Sequence, residues 1–338
     1  MQAVRYHGPG QPLRLEDVPV PEPGPGEIRI RVTAAGLCHT ELHFISGLLN
    51  LGVAPITLGH EIVGVVDRVG AGVRTPAEGD RVIAYYYSGC GSCRFCRRGE
   101  ENLCIQPRAV YGFTADGGLA EFVVVPARNA VRLPDVLSDE AAAPIGCSVT
   151  TAVHAGKLAD VRPGDVVLVY GIGAVGLGLV QWCRHAGATV IAVSRTPAKL
   201  DRARQLGATH TIRADHEDVV QRVRDLTDGQ GVDVVFELVA TRTTMTHAIQ
   251  SLSRRGRLVF IGYSEDSLHV HPLQLVILEA RVMGSVGNTL DELYEAVRLV
   301  EHGVIQTVVD RVLPLTEYAR AIDALRRGES VGRIVLKP

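Results

Sequence analysis

The sequence predicts an α/β protein of two domains, a partly open β-barrel and a doubly wound parallel sheet. Its length of 338 residues suits about two domains of ordinary size. In the first part of the chain, short stretches alternate apolar and charged residues, as at Glu27 to Thr33 and Ile62 to Val69. From Val149 onward, apolar strand-like runs alternate with helical patterns, which favours a parallel sheet covered by helices on both faces.

Composition and charge indicate an ordinary globular protein. Hydrophobic residues make up 46% of the chain and charged residues 21%. Lys and Arg number 35 against 37 Asp and Glu, so no charge excess indicates a nucleic acid or an anionic membrane as partner. No apolar run approaches the roughly 20 residues that span a bilayer. The N-terminus also lacks the pattern of a signal peptide, and we therefore expect a cytoplasmic protein.

The second part of the chain contains six short apolar runs separated by helical patterns. One such helix carries Val219, Val220, Val223 and Leu226 on one face. We predict one domain over 148–287 and place 1–147 together with 288–338 in the other, with boundaries uncertain by a few residues. The predicted strands are Val166–Tyr170, Thr189–Val193, Thr209–Ile212, Val232–Leu238, Arg257–Ile261 and Val282–Val286.

A glycine motif follows the first of these strands. Gly171, Gly173 and Gly176 form the pattern GxGxxG, which alone is a weak signal. A strand before it, a helix after it and another strand about twenty residues on make it a strong indication of a dinucleotide site. The glycines permit a tight turn, close approach of a pyrophosphate and helix-to-strand packing, and the helix N-terminus attracts the phosphates.

Three residues far apart in the chain have the side chains that zinc prefers. They are Cys38, His60 and Cys147, a thiolate, an imidazole and a second thiolate. Three protein ligands leave one tetrahedral position open, which is typical of a catalytic zinc site.

Four further cysteines lie close together in the sequence: Cys90, Cys93, Cys96 and Cys104. Four thiolates fill every position of a tetrahedral zinc, so this cluster predicts a structural site that stabilises a local lobe. An iron–sulfur cluster is the competing use of the spacing, and disulfides are a poorer one in an intracellular chain. Cys183 is left over in a helical pattern, where we expect a buried, inert thiol.

The ordered set of these motifs resembles the zinc-containing medium-chain alcohol dehydrogenases, of the medium-chain dehydrogenase/reductase superfamily, over essentially the whole chain. The resemblance implies a GroES-like catalytic domain, a Rossmann domain and two zinc ions per chain. It also implies hydride transfer between an alcohol, or in reverse an aldehyde or ketone, and a nicotinamide cofactor. Tetramers or dimers are common in the family, so we expect a homo-oligomer.

The resemblance also assigns roles around the open zinc site. Thr40 and His43 match the family's proton relay, in which a hydroxyl passes a proton through the cofactor ribose to an imidazole. Glu61 matches a carboxylate that approaches the metal during ligand exchange, and a supporting role beside His60 is the simpler alternative. Glu41 departs from the family, which has Asp there, so the orientation of His60 is open.

For the cofactor, the resemblance assigns His39 and Arg333 to the pyrophosphate and Thr151 and Val175 to the nicotinamide. An ordinary solvated arginine is the alternative for Arg333.

The end of the second strand of the dinucleotide domain bears on the choice of cofactor. NAD enzymes of this fold have a carboxylate there, whereas this chain has Ser194 followed by Arg195, with Lys199 nearby. A missing carboxylate and added cations favour the 2′-phosphate of NADP. Use of both NADP and NAD is the alternative.

In the substrate pocket, Tyr86 and Leu49 match two pocket walls of the family, although either side chain could be plain core. Two other functions remain open. One is a zinc-free relative that reduces an activated C=C bond, such as an enoyl or quinone reductase. The other is a nucleotide-binding sensor without catalysis. The complete ligand and relay set argues against both.

Overall fold

The computed structural model describes all 338 residues. The chain forms eighteen β-strands, which are β1 Gln2–Tyr6, β2 Arg14–Asp17, β3 Glu27–Leu37, β4 Ile56–Thr57, β5 Glu61–Val69, β6 Arg81–Ala84, β7 Tyr87–Ser88, β8 Ala109–Val110, β9 Phe122–Pro126, β10 Ala130–Arg132, β11 Val166–Tyr170, β12 Thr189–Ser194, β13 His210–Arg213, β14 Val232–Glu237, β15 Leu252–Phe260, β16 Arg281–Gly284, β17 Val309–Pro314 and β18 Arg333–Lys337.

Ten α-helices and five short 3-10 helices accompany the strands. The α-helices are α1 Thr40–Ser46, α2 Asp139–Ala142, α3 Ser148–Leu158, α4 Ala174–His185, α5 Pro197–Gln205, α6 Val219–Leu226, α7 Arg242–Gln250, α8 Pro272–Leu278, α9 Leu290–Glu301 and α10 Tyr318–Arg326. The 3-10 helices are Cys96–Arg98, Glu101–Leu103, Ala127–Asn129, Ala143–Gly146 and Leu315–Glu317. None of the helices is both long enough and apolar enough to cross a membrane.

The chain divides into two compact units. The first unit comprises Met1–Thr150, Asn288–His302 and Thr307–Pro338, and the second comprises Thr151–Gly287 with Gly303–Gln306. The sequence analysis did not anticipate that a four-residue segment after α9 returns to the second unit. Gln181 in α4 anchors that segment, since its side chain donates to the carbonyl of Gln306 at 3.0 Å and accepts from the Gln306 N–H at 2.7 Å.

The first unit is built on a curved, mostly antiparallel sheet. Its strands follow the order β10-β6-β5-β3-β18-β17, and β9 also pairs with β3. The long strand β3 is central to this sheet because it pairs with β5, β9 and β18. A smaller sheet of order β2-β1-β4 completes the barrel. Apolar residues of both sheets form one core, for example Ile30 and Ile62 of the larger sheet and Val4 of the smaller one.

The second unit contains a six-stranded sheet in which every neighbouring pair is parallel. The strand order is β13-β12-β11-β14-β15-β16, so the chain starts in the middle, builds outward to one edge and then to the other. The central strands are buried on both faces, which explains their continuous runs of Val, Ile and Leu. The predicted fold class is therefore confirmed.

Val166–Tyr170 matches its predicted bounds, three strands differ by a single residue at one or both ends, and two strands differ by more. β15 begins at Leu252, before the predicted Arg257, because Leu252 pairs with Val232 ahead of a register irregularity. Arg255, inside that irregular stretch, has a positive φ of 60°, a conformation that apolar patterning does not reveal. At the other edge, β16 covers Arg281–Gly284 and ends earlier than predicted.

Candidate active site

Two neighbouring strands bring the first two predicted zinc ligands together. Cys38 directly follows β3 and His60 directly precedes β5. These strands are antiparallel, and Gly36 pairs with Glu61, so both ligands lie at the same end of the ladder. Cys147 directly follows the 3-10 helix Ala143–Gly146, and a Cβ at Gly146 would lie 3.4 Å from the Cα of Glu61.

The structure places the three predicted ligands in one buried group and adds a fourth residue. The ligand atoms of Cys38, His60, Cys147 and Glu61 all lie within 4.8 Å of one another, and all four residues are buried. Two sulfurs, an imidazole and a carboxylate are the donor set of a zinc site. The fourth tetrahedral position, which we predicted to have no protein ligand, is therefore next to the Glu61 carboxylate.

The Glu41 carboxylate reaches both Cys38 and His60, although this side chain is one methylene longer than the family's Asp. Its carboxylate accepts a hydrogen bond from the Cys38 N–H at 2.8 Å through one oxygen, and the other oxygen lies 3.5 Å from His60 Nδ1. One fully buried side chain thus contacts both ligand residues. Since Nδ1 faces Glu41, Nε2 of His60 is the nitrogen left to bind a metal.

The electrostatics of this group favour a cation. Burial alone would lower the pKa of His60, but hydrogen bonds and charges of Cys38 and Glu41 raise that pKa to about 10. Burial also raises the pKa of Glu61 to about 8, against the opposing charge of Arg333. Cys147 lowers the pKa of the Cys38 thiol through a shared hydrogen bond. The raised pKa of this buried imidazole indicates a negative local electrostatic potential, and the same potential would attract a zinc ion.

Arg333 lies within the same unit as this group, against Glu61. Its Nη2 forms an ion pair with Glu61 Oε1 at 2.7 Å, without the geometry of a hydrogen bond. Its Nη1 donates a hydrogen bond to the Leu37 carbonyl at 3.3 Å. Arg333 is only 5% exposed. The solvated arginine that was the alternative in the sequence analysis is wrong, while the predicted contact with a pyrophosphate stays a prediction.

Room for the Glu61 side chain depends on Gly36. A Cβ at Gly36 would lie 1.7 Å from Glu61 Oε2, so any side chain at this position would displace the Glu61 carboxylate in the β3–β5 pair. The sequence analysis gave Gly36 no role, although it stands in the same motif as Cys38. A glycine two residues before a metal ligand, inside a strand, was the signal that could have identified it.

The predicted relay residues lie on α1, which begins two residues after Cys38. Thr40 Oγ1 is 3.5 Å from Cys38 Sγ. His43 is three residues further on, on the same face of the helix, and its ring centroid is 5.2 Å from that of the exposed His39. Burial, followed by the charge of His39, lowers the pKa of His43, so its imidazole is neutral and able to accept a proton near pH 7.

Aromatic rings line one side of the buried group. The ring of Tyr86 is 5.1 Å from that of His60. Its predicted place in the wall of the substrate pocket stays a prediction. Phe113, which the sequence analysis missed, lies closer, at 4.9 Å from the His60 ring, and stacks on Tyr86 at 5.8 Å. No local motif marks Phe113, because a loop far along the chain brings it here. Leu49 is half-buried and its N–H donates to the His43 carbonyl at 3.0 Å.

The second cysteine cluster has the dimensions of a four-thiolate zinc site. Sulfur–sulfur distances are 3.9 Å for Cys90 with Cys96 and 3.9 Å for Cys93 with Cys104. A tetrahedral zinc with its usual Zn–S bonds requires about 3.8 Å, far beyond a disulfide bond. The Cys90 and Cys93 N–H groups donate to Cys104 and Cys90 sulfurs at 3.2 and 3.3 Å, which stabilises thiolates.

The glycine motif of the second unit has the geometry of a phosphate-binding turn. Gly171 has a φ of 108°, and a Cβ at Gly176 would lie 2.2 Å from the Gly171 carbonyl oxygen. A Cβ at Gly173 would meet no atom within 4 Å, so no contact within the chain requires glycine there. Gly173 is the N-cap of α4 and provides no side-chain cap, which leaves the first N–H groups of that helix available to a ligand.

The other predicted cofactor residues of this unit are distributed around the sheet. Val175 is half-buried in the first turn of α4, and Thr151 is buried in α3. Ser194 ends β12, and its Oγ accepts from the Thr196 N–H at 3.2 Å. Arg195 is exposed, and Lys199 is half-buried in α5.

Comparison with known proteins identifies the family. The alcohol dehydrogenase GroES-like domain matches residues 24–135, and the zinc-binding dehydrogenase domain matches residues 174–302. An alcohol dehydrogenase from Geobacillus stearothermophilus is 35% identical over 97% of this chain and 96% of its own. The chain belongs to the zinc-containing medium-chain alcohol dehydrogenase family.

Two further members of the family match the whole chain. The NAD-dependent alcohol dehydrogenase of Sulfurisphaera tokodaii is 35% identical over 100% of both chains. The crystal structure of the alcohol dehydrogenase from Aeropyrum pernix has 35% identity and a TM-score of 0.95 over 100% of both chains. This chain is accordingly a zinc-dependent alcohol dehydrogenase that uses a nicotinamide cofactor.

Proposed function

We propose that alcohol oxidation and carbonyl reduction take place at the group formed by Cys38, His60, Cys147 and Glu61. The observation that carries this proposal is the meeting of four buried ligand atoms within 4.8 Å, with one position of a tetrahedron left for substrate or for Glu61. Zinc bound there would polarise the substrate oxygen, and the nicotinamide would accept or return a hydride.

The side chains around this group hold and shield the reacting oxygen. Glu41 fixes the His60 ring through Nδ1 and the backbone of Cys38 through its N–H. Tyr86 and Phe113 exclude water on one side, which strengthens the electrostatic interactions at the metal. The positive charge of Arg333 holds the Glu61 carboxylate beside the metal ligands. In this proposal, Glu61 and the substrate oxygen compete for the fourth position on the zinc ion.

Thr40 and His43 provide the route for the proton. The Thr40 hydroxyl lies beside a ligand sulfur. It would accept the proton that the alcohol loses while passing its own proton to a ribose hydroxyl of the cofactor, which in turn passes one to His43. His43, on the same face of α1, takes the proton toward solvent, because its lowered pKa keeps the imidazole neutral at pH 7.

A second zinc ion has a structural role in this proposal. Cys90, Cys93, Cys96 and Cys104 provide all four of its ligands and leave no position for substrate. The expected content is therefore two zinc ions per chain. Thiolate ligands require reduced cysteines, which favours the cytoplasm as the compartment.

For the cofactor, the proposal favours NADP over NAD. Ser194 occupies the position of the ribose-binding carboxylate, and the exposed Arg195 follows it directly. Arg213, at the end of the neighbouring strand, is the register partner of Ser194, but Asp215 already balances its charge at 3.1 Å. Arg195 is therefore the cation we assign to the 2′-phosphate. The Sulfurisphaera relative is named NAD-dependent, so under this proposal the two proteins differ in their preferred cofactor.

Steady-state kinetics with each cofactor test this proposal. We expect kcat/KM for NADP to exceed that for NAD by roughly ten- to hundredfold, since one charge-assisted hydrogen bond contributes about 1.5–3 kcal/mol. Ser194→Asp combined with Arg195→Ala should reverse the order. A higher kcat/KM with NAD in the wild-type enzyme contradicts it.

The general reaction is tested with ethanol and benzyl alcohol, together with zinc content. Oxidation of either alcohol by protein that contains two zinc ions per chain is the expected result. Reduction of an enone C=C bond without alcohol oxidation would contradict the proposal.

We also propose a homo-oligomer formed through the β16 edge of the second unit. β16 is an outermost strand, so one row of its N–H and C=O groups has no partner strand within the sheet. The adjacent α8 has no buried residue, and Val276 and Ile277 are 69% and 52% exposed. A second copy related by a twofold axis satisfies both edges and covers both apolar helices.

A further inference from the structure

The parallel sheet has one point where its strand order reverses, between β11 and β14. The chain builds from β11 outward through β12 and β13, then returns to β14 on the other side. In sheets of this kind, ligands bind at the carboxyl ends of the strands beside that point. The glycine motif leaves β11 there, and a short turn of residues 238–240, here called the crevice turn, leaves β14.

A buried carboxylate fixes the crevice turn. Glu237 is the last residue of β14, and its side chain is fully buried. One of its oxygens accepts from the Val239 N–H at 3.2 Å, and the other accepts from the Ala240 N–H at 2.8 Å. Both N–H groups belong to the turn that the same residue begins, so a single side chain determines its backbone path.

The turn needs such a restraint because its conformation is unfavourable by itself. Ala240 has a φ of 60°, which costs a residue with a Cβ about 1–2 kcal/mol. Its carbonyl accepts from Ser264 Oγ at 2.5 Å, and the Leu238 N–H donates to the Tyr170 carbonyl at 3.0 Å. Hydrogen bonds thus hold the turn at both ends, and Glu237 holds the N–H groups between them.

The crevice turn lies directly against the glycine motif. A Cβ at Gly171 would lie 2.9 Å from Val239 Cγ2 and 3.2 Å from Leu238 Cβ. Val239 is nevertheless 38% exposed, which is unusual for an apolar side chain next to a buried sheet. Its position beside the phosphate-binding turn makes it an apolar wall for a ligand that lies there.

Burial and hydrogen bonding act on the pKa of Glu237 in opposite directions. Burial raises its pKa, whereas the Thr244 side chain and the Ala240 and Val239 N–H groups lower it. These donors stabilise the ionised Glu237 carboxylate and offset part of the free-energy cost of burying its charge. A carboxylate buried at this cost, with no role in the metal site, is explained by the turn that it restrains.

We propose that Glu237 is a positioning residue of the dinucleotide site, because it fixes the crevice turn so that Val239 contacts the cofactor opposite Gly171. The residue does not contact the cofactor itself. The inference rests on the proposed nicotinamide site of the second unit and names a residue that neither the glycine motif nor the metal ligands identify.

Glu237→Gln tests the proposal. An amide has one acceptor oxygen, so either orientation leaves one of the two N–H groups without a partner and loosens the turn. We expect the Kd for NADPH and for NADH, measured by titration of the full-length zinc-loaded enzyme, to rise about tenfold, which equals about 1.4 kcal/mol. The KM for cofactor should rise in parallel, while kcat at saturating cofactor and zinc content stay at their wild-type values.

Asp233→Asn provides the matched control. Asp233 lies on the same strand about 13 Å from Glu237, and its carboxylate accepts from the Val166 N–H at 2.8 Å. The chemical change is the same, but it occurs at the amino end of the sheet, away from the crevice. We expect it to lower Tm and to leave cofactor Kd unchanged.

The outcomes separate the two proposals. A Kd within twofold of wild type in Glu237→Gln, with a Tm loss like that of Asp233→Asn, overturns the positioning role. If Glu237→Gln does not fold, Val239→Ala replaces it, with an expected rise in Kd of about fivefold, or about 1 kcal/mol; an unchanged Kd overturns the inference. Wild-type protein that binds neither NADPH nor NADH contradicts the proposed function itself.

Discussion

Glu61 occupies its place because the residue opposite it has no side chain. The carboxylate is fully buried between β3 and β5, beside the metal ligands and Arg333. Any Cβ at Gly36 would overlap it, at 1.7 Å from Oε2. A backbone position that carries no chemistry thus determines where a carboxylate lies.

Gly36→Ala should therefore displace Glu61 and separate it from Arg333. We expect a loss of about 2–4 kcal/mol in the free energy of unfolding, since the added methyl group has no space and a buried ion pair is broken. Zinc content should fall from two ions toward one per chain, measured by atomic absorption. Unchanged Tm with two zinc ions retained would rule out this account.

Gly173→Ala is the matched control for that substitution. Its Cβ would meet no atom of the chain within 4 Å, so stability and zinc content should stay at wild-type values. Only cofactor affinity should fall, because the methyl group occupies the space of the pyrophosphate.

In the proposed proton relay, His43 determines how alcohol oxidation depends on pH. Its pKa is lowered below its usual 6.5, so the neutral, proton-accepting form exists above that lowered pKa and is lost as pH falls through it. His43→Gln should slow oxidation at pH 7 by at least about tenfold, and added imidazole should restore part of the rate. Stopped-flow measurement of the oxidation step from pH 5 to 9 checks this, and equal profiles for both enzymes would show a structural histidine.

At the scale of elements, the two metal sites differ in what they hold together. The four-cysteine lobe ties one local segment to itself, and its 3-10 helices Cys96–Arg98 and Glu101–Leu103 have no buried residue. The proposed open site joins β3, β5 and the segment before α3. Residues of β3 and β5 belong to the apolar core, and Ala143 and Ile145 of the segment are buried. We therefore expect loss of metal to affect folding at the first proposed site and turnover at the second.

Paired alanine substitutions test this difference. Cys93→Ala opens the closed site and should lower Tm and increase proteolysis of residues 90–104, because the lobe has little apolar core. Cys147→Ala should retain about one zinc ion and a near-native Tm but lose alcohol oxidation. Equal loss of folded protein in both variants would contradict the division of roles.

The sequence predicted most accurately those strands that are equally buried along their whole length. Val166–Tyr170 matched its predicted bounds because a strand buried on both faces is a continuous apolar run. The start of β15 was wrong because pairing with Val232, not apolar pattern, sets it. Cys38, His60 and Cys147 were recognisable from ligand chemistry and order. Phe113 and Glu237 were not, since a loop and a turn determine their neighbours.

At the scale of the whole molecule, the second unit presents an apolar edge that one copy does not cover. Val276→Glu places a charge on α8 at a position that is 69% exposed, and should shift the enzyme toward monomer. Val136→Glu, at 73% exposure in the first unit, is the control and should leave assembly unchanged. Light scattering after gel filtration measures the mass of each, and an unchanged mass for Val276→Glu would place the interface elsewhere.

The two metal sites also differ in how much chain must be closed to form them. Cys90 and Cys104 are separated by 14 residues, whereas Cys38 and Cys147 stand 109 residues apart. Closing the longer loop costs about 2 kcal/mol more in chain entropy. We therefore expect the local lobe to take up its ion earlier in folding than the open site, which forms only when β3, β5 and the segment before α3 have met. Under limiting zinc we thus expect folded but inactive enzyme, in which the four-cysteine site holds an ion and the open site is empty.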